Sequence, residues 1–358
     1  MNNNLKDQAI KDKTKALKPG FCCIGIVDSC MLKCKMCQKW QEDLGTKGFS
    51  QPTTEQWKTF IRQLRDLVDE GFEIDFGGGE ALMRKDLLEL VSYAKGLGFK
   101  NAIASNGFLI DEEMAKRIVD SGLDSIVLSL DSLKNEVHDR MRGVEGVAQR
   151  VHNAIKYLRK YSKDIHIGIC SIIMEQTLDG ILDLAEWVNI NRDKTNSILF
   201  MAPMQPNNTA LDADWYKEDF SFFWPKDIGK TSAILDELIS RRKQGHWIGD
   251  SVVQLEAFKA YFANPDKFVK KSPCNLDRAI HASSIGDIFL CYRWALLGNI
   301  KEGADIREIW HSEAAQNARA DIRKCQDNCH FLLNCFFEGD YPFALGTGVV
   351  QAAENKTE

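Results

Sequence analysis

Cys30, Cys34 and Cys37 fall within one short run, Asp28-Ser29-Cys30-Met31-Leu32-Lys33-Cys34-Lys35-Met36-Cys37. Thiolates are soft ligands, and three at this spacing can hold one inorganic iron–sulfur cluster. Three protein ligands leave one corner of a four-iron cluster without a protein donor. An open iron can bind a substrate or cofactor, so the triad reads as reactive rather than structural. A second group, Cys274, Cys291, Cys325, Cys329 and Cys335, lies toward the other end of the chain. In a reducing compartment such a group points to metal and not to disulfides. Spacing alone leaves zinc and iron both open there, because sulfur-rich tetrahedra suit either metal.

The elements that must position these thiols alternate between strand-like and helix-like from about residue 20 to 205. Phe21–Val27 is a short apolar run that reads as a buried strand, so the cysteine triad follows the end of strand one. Pro52-Thr53-Thr54-Glu55 opens a helix with Trp57, Phe60, Ile61, Leu64 and Leu67 on one face. Further strands are expected over 72–76, 102–105, 125–130, 165–174 and 198–202, with helices over 86–97, 111–121, 146–160 and 178–190 between them. Gly77-Gly78-Gly79-Glu80 closes the second strand, Ser105-Asn106 the third, and Ser129 with Asp131 the fourth. Serial strand–helix repeats predict a parallel sheet with right-handed crossovers, and apolar strands predict a sheet covered by helices. Six units are too few for a closed barrel. The fold class is therefore α/β, a partial (β/α)6 TIM-like barrel with a smaller C-terminal Cys-rich α+β extension and ligands at the strand C-termini.

Past Pro206 the pattern changes. Trp215, Tyr216, Phe220, Phe222, Phe223 and Trp224 crowd one stretch, read as core between two parts of the molecule or as the lining of a substrate groove. Helices are expected over 226–243 and 251–263, a hairpin turn across 283–289, and a helix over 305–323. The expected organisation is a polar lead-in over 1–19, the barrel over 20–205, a helical aromatic-rich linker over 206–272, a cysteine domain over 273–340 and a tail over 341–358. Cys170, alone in the fifth strand, reads as a buried core thiol.

The C-x3-C-x2-C triad, with Met36 in the hydrophobic slot and Gly78-Gly79-Glu80 about forty residues later at a strand end, resembles the radical S-adenosylmethionine (SAM) enzymes. The resemblance implies a [4Fe-4S] cluster on Cys30, Cys34 and Cys37, with SAM on its fourth iron. It implies one-electron cleavage of SAM to methionine and a 5′-deoxyadenosyl radical that abstracts a substrate hydrogen. It further implies Met36 near adenine, and Gly78, Gly79 and Glu80 around the SAM amino group. Ser105, Asn106 and Ser129 would serve the ribose and carboxylate. The run His138-Asp139-Arg140-Met141-Arg142-Gly143 resembles a segment of the same family, with Arg142 gripping a carboxylate; a surface helix with two arginines is the other reading. Ala81 stands where relatives commonly carry proline.

The later cysteines resemble the SPASM/twitch extension that binds auxiliary [4Fe-4S] clusters. Five cysteines, fewer than the full pattern, imply one auxiliary cluster. Cys274 and Cys291 would supply two ligands, and two of Cys325, Cys329 and Cys335 the rest, the pair being open. The implied activity is oxidation or crosslinking of a peptide or small molecule, with the auxiliary cluster as electron acceptor and an electron donor such as flavodoxin or ferredoxin. Readings of other classes are a non-catalytic iron–sulfur carrier or sensor and a zinc-bearing binding module.

Composition bounds these readings. Hydrophobic content of 44% and charged content of 27% suit a globular protein. A net charge of −5 without basic blocks gives no footprint for nucleic acid. No apolar run approaches membrane-spanning length, and no charged-then-apolar leader opens the chain, so a cytoplasmic location is expected.

Overall fold

The computed structural model describes residues 17–37, 39–41, 50–206, 212, 214–266, 274–293, 295–325 and 333–334. Six parallel strands run in chain order: β1 Phe21–Val27, β2 Glu73–Gly78, β3 Lys100–Ser105, β4 Ser125–Ser129, β5 His166–Ile172 and β6 Ser197–Met201. Between them lie α1 Thr54–Arg65, α2 Leu87–Gly96, α3 Glu112–Asp120, α4 Asn135–Arg142, α5 Val147–Tyr161 and α6 Ile181–Ile190. The expected α/β partial barrel is the observed one: each strand pairs in parallel with the next and the sheet does not close.

Local chemistry sets the helix starts. Thr53 and Gln56 form a reciprocal capping box on α1, whose buried face is Trp57, Phe60, Ile61 and Leu64. Asp111 caps α3 through the Met114 N–H. One face of the sheet packs on these helices. Ile24, Phe76, Ile103, Leu128 and Ile169 on that face have 0% exposure. Cys23, Asp75, Ala104, Val127 and Cys170 point to the other face and keep solvent contact, so the inside of the partial barrel is less fully covered than its outside.

The sequence pattern gave no sign of what extends the sheet. β7, Ala279–Ala282, pairs in parallel with β1 on the side away from β2, and β8, Asp287–Phe289, and β9, Gly298–Asn299, add an antiparallel meander. The sheet order is therefore β6-β5-β4-β3-β2-β1-β7-β8-β9. The expected hairpin across 283–289 is the β7–β8 turn. Helices α7 Ile228–Lys243 and α8 Val252–Ala263 pack together. The single helix expected over 305–323 is two, α9 Ile306–His311 and α10 Glu313–Lys324. Ser312 breaks it: its backbone is extended and its hydroxyl accepts from the Ala315 N–H, starting a new helix. Among the described residues no helix is long and apolar enough to cross a membrane.

Candidate iron–sulfur and cofactor site

The cysteine loop leaves β1 and is clasped from two sides. The Gly79 N–H donates to the Val27 carbonyl at 2.8 Å and the Glu80 N–H to the Ser29 carbonyl at 2.9 Å. A Cβ on Gly78 would lie 2.1 Å from the Val27 oxygen, and one on Gly79 would lie 2.3 Å from the Asp28 and Ser29 oxygens. These glycines let the β2 turn lie against the cysteine loop. The chain's own carbonyls occupy the space a side chain would take, while both glycines, expected around the SAM amino group, still border the cleft. On the other side the Lys35 N–H donates to the Met141 carbonyl at 2.9 Å. Gly143, at φ +72°, allows the end of α4 to touch the Lys33 carbonyl, 2.2 Å from where a Cβ would stand.

The segment His138–Gly143 is a positioning device. Arg142 donates from Nε to Asp131 Oδ2 at 2.7 Å and from Nη2 to Asp131 Oδ1 at 3.0 Å. Arg142 thus grips a carboxylate, but of its own chain, and Asp131 is fully buried. The guanidinium holds the Asp131 carboxyl well below the usual carboxylate range despite burial. His138 Nδ1 accepts from the Asp131 N–H at 3.1 Å. Asp139 caps α5 through the N–H groups of Gly146 and Ala148. The surface-helix alternative fails because His138, Met141 and Arg142 are buried.

These clasps bring most of the predicted residues to one cleft at the strand C-termini. It is lined by Cys30, Cys34, Cys37, Gly78, Gly79, Ser105, Asn106, Ser129 and Arg142, together with Leu32, Lys39, Trp40 and Ala104. The cavity there measures about 220 Å³. Glu80 does not line it. Its carboxylate lies buried beneath, accepting from Ser105 Oγ at 2.9 Å, the Asn106 N–H at 2.8 Å and the Leu82 N–H at 3.3 Å. Burial raises the Glu80 pKa against these three hydrogen bonds. Met36 is also off the cleft, on the apolar side with Met141, Met174, Trp215 and Phe223. That cluster answers the aromatic stretch: Trp215 and Phe223 are buried core, continued by Trp224 against Tyr261 and Phe262 of α8.

The donor set suits an iron–sulfur cluster. Three thiols from one loop border one cavity, and Asn106 Nδ2 lies 3.6 Å from Cys30 Sγ. Among the described residues no three metal-ligating side chains converge on a single ion, whereas a multi-iron cluster takes its thiolates at separate irons. Burial pushes the Cys30 thiol up to about 11 and raises Cys34, which Arg142 opposes. Metal binding must therefore release thiol protons at neutral pH.

In the second group, Cys274 and Cys291 are buried on either side of the β7–β8 hairpin, and Cys325 ends α10. Arg323 of α10 pairs with Asp277 at 2.7 Å, tying the Cys325 end of that helix to the turn after Cys274. Cys329 and Cys335 lie outside the described residues. Ser284 of the hairpin hydrogen-bonds Asp28, two residues before Cys30. Asn334 both accepts from the Ala202 N–H at 2.8 Å and donates to its carbonyl at 3.0 Å, at the end of β6.

Residues missed in the sequence reading are Lys39 and Trp40 on the cleft, Asn334, and the inward carboxyls Glu73 and Asp75. Only the last two left a signal, an acid at alternate positions of an otherwise apolar strand.

An open parallel sheet with three cysteines at the mouth defines a class, and comparison bears it out. Residues 24–188 match the radical SAM superfamily and residues 274–336 match an iron–sulfur cluster-binding domain, SPASM. The chain therefore carries a radical SAM domain and a SPASM domain, which imply a [4Fe-4S] cluster, SAM and an auxiliary iron–sulfur cluster as its cofactors. It is similar to the Fe-coproporphyrin III synthase of Methanosarcina barkeri, at 35% identity over 46% of this chain and 40% of that protein. It is similar to the PqqA peptide cyclase of Bradyrhizobium diazoefficiens, at 25% identity over 47% of this chain and 43% of that one. The chain thus spans less than half the length of either relative. Streptococcus suis SuiB bound to its precursor peptide SuiA shares the fold, with a TM-score of 0.63 at 18% identity over 93% of this chain and 74% of that one.

Proposed function

We propose that the protein reductively cleaves SAM and uses the resulting radical for the net oxidation or crosslinking of a peptide substrate, with the auxiliary cluster taking the second electron. The observation that carries this reading is the single cleft shared by Cys30, Cys34, Cys37, Ser105, Asn106, Ser129 and the β2 glycines. When bound, cluster and SAM supply a 5′-deoxyadenosyl radical. The chain supplies the rest. Cys30, Cys34 and Cys37 would hold the cluster. Ser105, Asn106 and Ser129 offer short polar groups to the hydroxyls and carboxylate of the cofactor. Arg142 is engaged by Asp131 and presents its guanidinium to Cys34, so it orients the loop. Glu80 is one buried shell below the cleft and fixes Ser105 and the Asn106 backbone; its Oε1 takes two of its three hydrogen bonds and its Oε2 one, which leaves Oε2 an acceptor site for the SAM ammonium.

The inward face below the cleft, which keeps solvent contact, gives a substrate a place within reach of the radical. Cys274 and Cys291, with partners from Cys325, Cys329 and Cys335, would hold the auxiliary cluster. The peptide substrate is supported by the peptides named for SuiB and the PqqA cyclase. Flavodoxin or ferredoxin is the proposed electron donor. The test is anaerobic: protein reconstituted with iron and sulfide, then reduced with SAM present, should release 5′-deoxyadenosine. Replacing Cys30, Cys34 and Cys37 by alanine should abolish release while iron at the C-terminal group remains. Release that persists in the triple variant refutes the reading.

A further inference from the structure

The inward face of the sheet carries a continuous row across six strands: His281, Cys23, Asp75, Ala102, Ser125 and His166, each paired in register with the next. The next inward row toward the cleft is Gly25, Gly77, Ala104, Val127 and Gly168. Three of these have no side chain beyond hydrogen. A Cβ on Gly77 would meet nothing within 4 Å, and one on Gly25 only the Ala282 oxygen at 3.6 Å. Ala104 itself lines the cysteine cleft. Asp75 thus lies one inward row, or about 7 Å, below the cofactor site, with only the side-chain-free Gly25 and Gly77 above it on its own strand and on β1.

Its surroundings lack a counter-charge. Among the described residues the Asp75 carboxylate has no hydrogen-bond or ion-pair partner, and the only cause of its shift, to about 7, is burial. The row's imidazoles do not supply a cation: burial holds His166 and His281 near 4, and both are neutral at pH 7. Cys22 and Cys23 add no positive charge. Glu73, two residues earlier on the same face, adds a second carboxyl, with Oε2 buried and unpartnered; its nearest opposing charge is Lys100. The guanidinium at the mouth, Arg142, is committed to Asp131. A chamber built this way offers an anion no cation and leaves a carboxyl to be matched by an incoming donor.

We propose that Asp75 is the substrate-recognition carboxyl of the lumen and that the group it binds is a cationic nitrogen, an amine or guanidinium, carried by the substrate close to the carbon that loses hydrogen. This rests on the radical SAM reading above, since the lumen is the substrate chamber only if the cleft holds SAM. No covalent step is assigned to Asp75; it orients.

The experiment uses the reconstituted protein with SAM and two probes that differ only in charge at the side-chain end, N-acetyl-lysine methylamide and N-acetyl-norleucine methylamide. Ligand-observed NMR reads their affinities. The lysine probe should bind the wild type about tenfold more tightly than the norleucine probe. Asp75→Asn should erase the preference, and Asp75→Glu, which keeps the charge, should retain part of it. Equal affinity of the two probes, no binding by either, or a preference that survives Asp75→Asn overturns the proposal. Release of 5′-deoxyadenosine by the wild type, measured on the same preparation, separates this failure from failure of the radical reading.

Discussion

Asp131→Asn isolates the interaction that fixes the cofactor cleft. In the native chain the Asp131 carboxylate takes two hydrogen bonds from Arg142, at 2.7 and 3.0 Å, and a third from the Ile172 N–H at 3.3 Å. Asp131 is 0% exposed and the Arg142 side chain 11%. Asparagine keeps the shape but removes the charge, and turns an N–H group toward the guanidinium or toward the Ile172 N–H. Breaking one partner of a buried ion pair leaves the other charge uncompensated, at a cost of about 3–5 kcal/mol. The assay is urea unfolding followed by tryptophan fluorescence, paired with iron content after reconstitution. The Arg142 guanidinium also favours the Cys34 thiolate, so the variant should lose iron at the first cluster as well as stability. Adding Arg142→Met should recover a large part of the stability but not the iron. The pH profile has a set sign. The Asp131 pKa is lowered, so its contribution is present above the ordinary carboxylate range and is lost only as pH falls below about 4. A loss under about 1 kcal/mol at pH 7 would mean the pair behaves as a solvent-exposed one and would refute the reasoning.

Gly143→Ala should cost about 2–3 kcal/mol from left-handed strain and contact with the Lys33 carbonyl, and lower iron at the first cluster; unchanged iron content would show that this contact does not set the loop. Asp75→Asn should stabilise the protein at pH 8 by about 2–4 kcal/mol, since a raised pKa means stability is present below pH 4 and is lost as pH rises through about 7; thermal melts at pH 4 and pH 8 that show the same gap would contradict the burial argument. Cys170→Ala should leave iron content unchanged, because burial holds that thiol near 12 and it belongs to β5, not to the cysteine loop that follows β1; a loss of iron would place it among the ligands.

What could be read from residue order follows what is local. The strand–helix alternation shows in apolar runs and caps, and both are set within a few residues, so the six-stranded partial barrel was legible. The cysteine loop and most of its cleft partners were legible because they stand at the ends of consecutive strands. Glu80 and Arg142 were harder. Each has the chemistry to hold a cofactor carboxylate or ammonium, and only the fold reveals that Ser105, Asn106 and Asp131 already engage them. The position of β7 was not legible at all. Ala279-Ile280-His281-Ala282 is a four-residue segment, and no local signal says that it will lie beside Phe21 and not form a separate sheet. The break at Ser312 was visible in principle, as a serine ahead of Glu313 is a helix start, but helical periodicity on both sides hid it.

That placement of β7 bears on how the protein is made. Strand one leaves the ribosome early, yet one of its two edges stays bare until Ala279–Ala282 has been synthesised. For most of translation the nascent sheet therefore carries a raw hydrogen-bonding margin beside the cysteine loop, the kind of surface that other chains can add to. A chain cut before Ala279 should yield aggregate rather than a smaller enzyme.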